Sequence, residues 1–132
     1  NEVTDCYVYC DEKKCLEGAT INARNAGTLH VVVQGDANEC LKLATFLLPN
    51  NGDAYFSTSG TPEKAFKGLI LDDGTNTGYV EVKINSASTD EKDALKEVEF
   101  NLANAEEFVL DINGNAEIES SVIYCPDYAP PL

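Results

Sequence analysis

The sequence predicts an all-β protein, a short parallel β-solenoid (β-helix) of about five coils with two strands per coil. Three observations predict it. CLEGATI at residues 15–21 returns as CLKLATF at residues 40–46, displaced by twenty-five positions, and a fixed period of roughly 20 to 50 residues marks a repeat architecture. Apolar and polar residues alternate in short runs, as in strands with one buried face. Between these runs lie NAGT (25–28), PNNGD (49–53) and DDGTNTG (72–78), rich in the residues that close a corner.

A lead of residues 1–5 precedes a first coil over about 6–28, which opens on the alternating CYVYC (6–10). The later coils span about 29–53, 54–78, 79–106 and 107–126, with VVVQG (31–35), FSTSG (56–60), VKINS (82–86) and LDING (110–114) as matching segments. In the second strands the columns run Leu16, Leu41, Phe66, then Ala19, Ala44, Leu69, then Ile21, Phe46, Leu71. A three-residue insertion in SASTDEKDA carries the fourth copy to Leu95, Val98 and Phe100. A shortened turn carries the fifth to Ile118, Ser121 and Ile123. The inserted corner near Asp90–Lys96 suits a short helical turn, and residues 126–132 form a Pro-rich extended tail. Units this short cannot bury their apolar faces alone, whereas stacking makes one continuous core. A β-sandwich would also place strands every ~8–12 residues, but the agreement of the columns favours the solenoid, as a single domain over 1–132.

At 132 residues the chain fits one modest core. Nine basic against 23 acidic residues give a formal net charge of -14, which favours solubility and repels nucleic acid. The charge is uneven: residues 1–50 hold 7 acidic and 4 basic groups (-3), and residues 51–132 hold 16 and 5 (-11). No apolar run is long enough to span a bilayer. The chain starts at Asn1 rather than Met, as expected after removal of a signal peptide, and five cysteines suit an oxidising compartment. The expectation is a secreted, extracellular or cell-surface protein without membrane insertion.

The cysteines leave several pairings open. Cys15 and Cys40 share a column in adjacent coils and could bond directly. Cys10 and Cys15 flank the corner DEKK and offer a competing bond, while Cys6 and Cys10 lie four apart in an extended segment and cannot pair without a bend. Cys125 sits in the last coil, about 19 Å along the stack from the first. It reads either as a small buried residue in the column of Ala23, Leu48 and Leu102, or as one half of an intermolecular bond to an N-terminal cysteine of the next molecule.

The opening CYVYCDEKKCLEGATI resembles the cysteine-rich C-x-V/I-x-C…C…A-x-I β-solenoid repeats of secreted and surface proteins from protists, algae among them, and residues 6–126 can be laid on that repeat. The resemblance implies a solenoid in an extracellular, structural setting more than any chemistry. The chain departs from the pattern by keeping cysteine only at Cys6, Cys10, Cys15, Cys40 and Cys125. With Val31, Phe56, Val82 and Leu110 read at the place of Cys6, no disulfide ladder runs through the middle.

Residues for chemistry do not converge. His30 is the only histidine, and beside the strand HVVV it reads as a surface residue. No nucleophile elbow, phosphate loop or Cys/His metal spacing occurs. Lys83 and Asp111 compare poorly with the carboxylate sites of β-helix polysaccharide enzymes. The expectation is no enzyme and no cofactor, with calcium the one ion considered, at Asp72, Asp73, Asp111, Asn113 and Asn115. DINGNAE (111–117) lacks the sixth-place glycine of an EF-hand and has Val122 at the twelfth place, and Asp and Asn at corners are commonly turn formers. The outward column Thr20, Thr45, Ile70, Glu99, Val122 is no ice-binding threonine array, and the six tyrosines do not share one column.

Open solenoid ends template further strands unless capped. Neither NEVTD nor CPDYAPPL reads as a cap. The expected partner is therefore another copy of the chain, joined head to tail into a filament or surface appendage. High salt or divalent cations would help by screening the net negative charge of both ends. The alternative is a monomeric surface adhesion module that binds cell-surface or matrix glycans, or calcium.

Overall fold

The computed structural model describes residues 4–35, 39–60, 66–85, 95–113 and 118–126. Asn115, most of the inserted corner and the tail beyond Pro126 lie outside the described residues. So does the proposed helical turn, apart from Leu95–Lys96, which form a strand rather than a helix. The described chain is all-β: twelve strands, paired in parallel.

Five of these strands form the first sheet, in the order β1 (Asp5–Cys10), β3 (Thr28–Gly35), β5 (Asp53–Gly60), β7 (Tyr79–Asn85) and β10 (Glu107–Asn113). The second sheet stacks β2 (Thr20–Asn22), β4 (Thr45–Leu47), β6 (Ile70–Asp72), β9 (Glu99–Asn101) and β12 (Val122–Tyr124). Each successive pair is one coil of a parallel β-solenoid. The first three coils have two strands each. In the fourth and fifth, β8 (Leu95–Lys96) and β11 (Ile118–Glu119) pair as a third short strand.

In the second sheet the register follows the columns of the sequence. Ile21, Phe46, Leu71, Phe100 and Ile123 are successive partners inside the core, and Thr20, Thr45, Ile70, Glu99 and Val122 are successive partners outside it. Phe46, Leu71 and Phe100 are fully buried, as are Leu41, Phe66 and Leu95 one corner earlier. The two sheets meet through ring contacts. Phe46 and Phe56 pack edge to face at 5.1 Å, and Phe100 and Phe108 at 6.1 Å, the arrangement the ring quadrupole prefers.

The first sheet departs from a uniform period of twenty-five. Cys6 pairs with Leu29, then Ala54, Val80 and Phe108, so the steps are 23, 25, 26 and 28 residues. Val31, Phe56, Val82 and Leu110 therefore stand below Val8, not below Cys6. The ruler set on the second sheet carries over with a two-residue slip. Because side chains alternate with period two, this slip leaves every residue on its expected face and moves only its column.

One corner column accounts for part of the sequence pattern. Gly18, Leu43, Gly68, Glu97 and Ser120 all have positive φ, between 52° and 72°. Their backbones form one ladder, in which Gly18 donates to Lys42 O, Leu43 to Lys67 O, Gly68 to Lys96 O and Glu97 to Glu119 O at 2.8–2.9 Å. The left-handed conformation turns the chain from one strand into the next, and it disfavours a side chain by about 1–2 kcal/mol. Glu97 is exposed, so its side chain offers little packing in return. Glu97→Gly is expected to raise stability by about 0.5–1 kcal/mol after the entropy that glycine loses on folding, read as a higher urea midpoint.

Candidate functional site

Two regions combine reactive side chains with incomplete packing: the terminal rungs and a corner of the first two coils. Strands β1 and β10 are the edges of the first sheet, and β2 and β12 those of the second. Their inward residues belong to the core columns, yet Cys6, Val8 and Ile21 at one end and Phe108, Leu110, Ile112 and Ile123 at the other are only partly buried. Their equivalents in the middle rungs, such as Val31, Phe56 and Val82, are fully buried. Among the described residues no further rung covers either end.

The two ends present the same columns in one register. Leu16, Leu41, Phe66, Leu95 and Ile118 occupy equivalent corner positions in the five coils. The exposed members are the outermost two, Leu16 at 39% and Ile118 at 49%. A second copy placed below the first in unbroken register would set Leu16 under Ile118, Val8 under Leu110 and Cys6 under Phe108. Opposing terms are present too, since Asp5 would lie opposite Glu107.

Cys125 extends the column of Ala23, Leu48 and Leu102, as shown by the rung bonds Ala23 N to Leu47 O and Leu102 N to Tyr124 O. Ala23, Leu48 and Leu102 are buried, but Cys125 is exposed and free, and among the described residues no rung follows it. The reading of Cys125 as a small buried residue is thereby corrected. Within the chain, Ala23 runs round a corner to Leu29, Leu48 to Ala54 and Leu102 to Phe108. Cys125 stands in that same relation to Cys6 of a copy stacked below. Cys6 is also a free thiol, and half-buried.

At the other end of the first strand the sulfurs of Cys10, Cys15 and Cys40 all lie within 4.8 Å of one another. Cys10 and Cys15 form a disulfide with a Cα separation of 5.7 Å, and Cys40 remains a thiol. Of the two bonds weighed from the sequence, Cys10–Cys15 is the one formed, and Cys40 lies beside it as a thiol. Cys15 and Cys40 are stacked by the bond from Leu41 N to Cys15 O at 2.9 Å, while Cys10 reaches Cys15 across the corner. The sequence treats the two relations as competing for Cys15, whereas the fold holds both at once, the second coil bringing Cys40 beside the Cys10–Cys15 pair.

Cys10 and Cys40 are fully buried and Cys15 is partly so. Burial pushes the Cys40 thiol up from 9.0 to about 12, and the nearby Asp11 carboxylate adds to the shift. The folded chain thus holds this proton more tightly than the unfolded chain, which stabilises the fold below pH 9.0 and is lost as pH rises toward about 12. The thermal midpoint should fall more steeply over that window in the natural chain than in Cys40→Ala, as scanning calorimetry would register.

A scan against protein-family models and searches of curated proteins and solved structures found no match.

The remaining sequence candidates do not converge. Asp72 is paired with Arg24 at 3.1 Å. The Asp73 carboxylate accepts the backbone N–H of Asn104, and its pKa is raised by burial despite that bond. Asp111 and Asn113 lie in β10 of the other sheet, with Lys83 directly opposite Asp111. Asp72 and Asp73 are thus separated from Asp111 and Asn113, and among the described residues the only group of three or more potential His, Cys, Asp or Glu ligands is the cysteine trio.

The two-residue slip also hid an aromatic stripe. Tyr7, His30 and Tyr55 are successive partners on the outer face of the first sheet. Their rings stack at 4.6 and 5.5 Å with planes within 13°. Tyr79 flanks Tyr55 at 5.7 Å, and Tyr9 flanks Tyr7 at 6.2 Å. His30 is thus a surface ring within a cross-strand ladder. Stacking turns the inner ring faces toward one another, so a ligand meets mainly their edges.

Proposed function

We propose that the protein is an extracellular structural subunit that assembles head to tail through its open solenoid ends, building a filament or surface appendage. The single observation that carries this reading is the half-buried state of the core columns at both ends, in phase with each other, with Leu16 and Ile118 exposed at equivalent positions. A contact between two different surfaces repeats without closing unless the rotation makes a ring. Parallel strand addition would satisfy the edge N–H and C=O groups of β1 and β10 together with their apolar faces. The cysteine-rich surface-protein resemblance and the Cys10–Cys15 disulfide accord with an oxidising exterior.

Leu110→Asp tests the reading, because an inward-pointing charge on an edge strand blocks further pairing. The natural chain should grow in sedimentation velocity with concentration and with added salt or divalent cation, and should form filaments under the electron microscope. Leu110→Asp should remain monomeric with unchanged far-ultraviolet circular dichroism. A natural chain that stays monomeric throughout would oppose assembly. That outcome would favour a glycan-binding surface module, which rests on Tyr7 and Tyr9, 55% and 61% exposed on the outer face.

A further inference from the structure

We infer that the reduced protein binds one thiophilic divalent d¹⁰ ion, of the zinc and cadmium class, through Cys10, Cys15 and Cys40. The three sulfurs lie within 4.8 Å of one another, and reduction of the Cys10–Cys15 bond frees that pair to part to the spacing a single ion demands. Metal–sulfur bonds of about 2.3 Å place thiolate ligands about 4 Å apart. The three come from separate backbone positions: the end of β1, the corner after it, and the same corner one coil later. The last two are held in register by the bond from Leu41 N to Cys15 O. No rearrangement of the coils is needed to bring the ligands together.

Their environment selects the ion. Soft thiolates favour zinc and its heavier relatives over magnesium or calcium. Cys10 and Cys40 are fully buried. Three thiolates around a divalent ion leave one net negative charge, whereas a monovalent copper ion leaves two, and burial penalises the greater charge. Cys15 is the partly exposed member, so the fourth coordination position opens on its side to water.

Occupancy excludes the disulfide. A dithiol reductant supplies the two electrons and two protons that break the Cys10–Cys15 bond, and is left as a cyclic disulfide. The ion then displaces the protons of the three thiols. The same sulfurs thus serve either as a disulfide beside a buried thiol or as a complete ligand set. This inference is independent of head-to-tail assembly, since none of the three cysteines is one of the two free thiols at the ends, Cys6 and Cys125.

The test is anaerobic titration of the full chain carrying Cys6→Ser and Cys125→Ser, reduced with a dithiol and then freed of it, with cadmium as the probe. One equivalent should bind, with a thiolate-to-cadmium charge-transfer band and three sulfur neighbours by X-ray absorption. Zinc should displace it and raise the thermal midpoint. The oxidised form of the same protein, which needs no further mutation to keep its fold, should lose at least a hundredfold in affinity. Adding Cys40→Ser should lower affinity at least tenfold. Equal binding by the oxidised form, two or fewer sulfur neighbours, or no charge-transfer band would each overturn the assignment.

Discussion

Replacing Phe46 with alanine is expected to lower stability by about 4 kcal/mol, within the range for burying a cavity of phenylalanine size. Phe46 is fully buried and lies between Ile21 and Leu71 in its column, with Phe56 of the opposite sheet against its edge. Its removal leaves a void that the coils above and below cannot close, because their spacing is fixed by backbone pairing at about 4.8 Å. Single domains are stable by only about 5–15 kcal/mol, so much of the total is at risk. Urea unfolding would read the loss as a lower midpoint. Phe46→Leu, which keeps most of the volume, should lose less than half as much.

Gly52→Ala should destabilise by about 3 kcal/mol through the opposite fault, overpacking. Gly27, Gly52 and Gly78 line one corner, with Asp53 N donating to Gly27 O and Gly78 N to Gly52 O at 3.2 and 2.8 Å. A Cβ on Gly52 would be driven into the carbonyl group of Gly27. That neighbour is backbone held in the rung ladder and cannot rotate aside. By contrast, a Cβ on Gly18 meets nothing within 4 Å, and its need for glycine is the positive φ of 72° alone. Gly18→Ala should therefore be the milder change, costing about 0.5–1 kcal/mol once the smaller entropy loss of alanine is counted, with thermal unfolding ranking the pair.

The second sheet was legible in detail because CLEGATI and CLKLATF keep their order of residue sizes, and burial of one face preserves that order through Phe100 and Ile123. The first sheet was legible only to its faces. Alternation reveals which side a residue takes, but the column depends on corner length, and coils of 23 to 28 residues share no common period. The stacking of Tyr7 on His30 was lost to that slip, whereas His30 and Tyr55 keep the period of twenty-five. The cysteine trio was visible in halves, one relation along the chain and one across a coil, and only a three-dimensional coil joins them. Leu43 and Glu97 carry no mark of their left-handed backbone, since the residues suited to that conformation stand only at Gly18 and Gly68 in the same column.

Under the proposed head-to-tail assembly, core columns continue from the last rung of one molecule into the first rung of the next. Its most direct measurement is the pattern of disulfide-linked species after mild oxidation, separated in denaturing gels without reductant. The natural chain should give a ladder of multiples, as Cys125 of each copy meets Cys6 of the one below. Cys6→Ser and Cys125→Ser alone should give monomers, and an equal mixture of the two should stop at the dimer, since each pair offers one bond and no continuation. Monomers from the natural chain in the presence of assembled filaments would place these residues apart at the junction, and a ladder from the mixture would contradict the head-to-tail register outright.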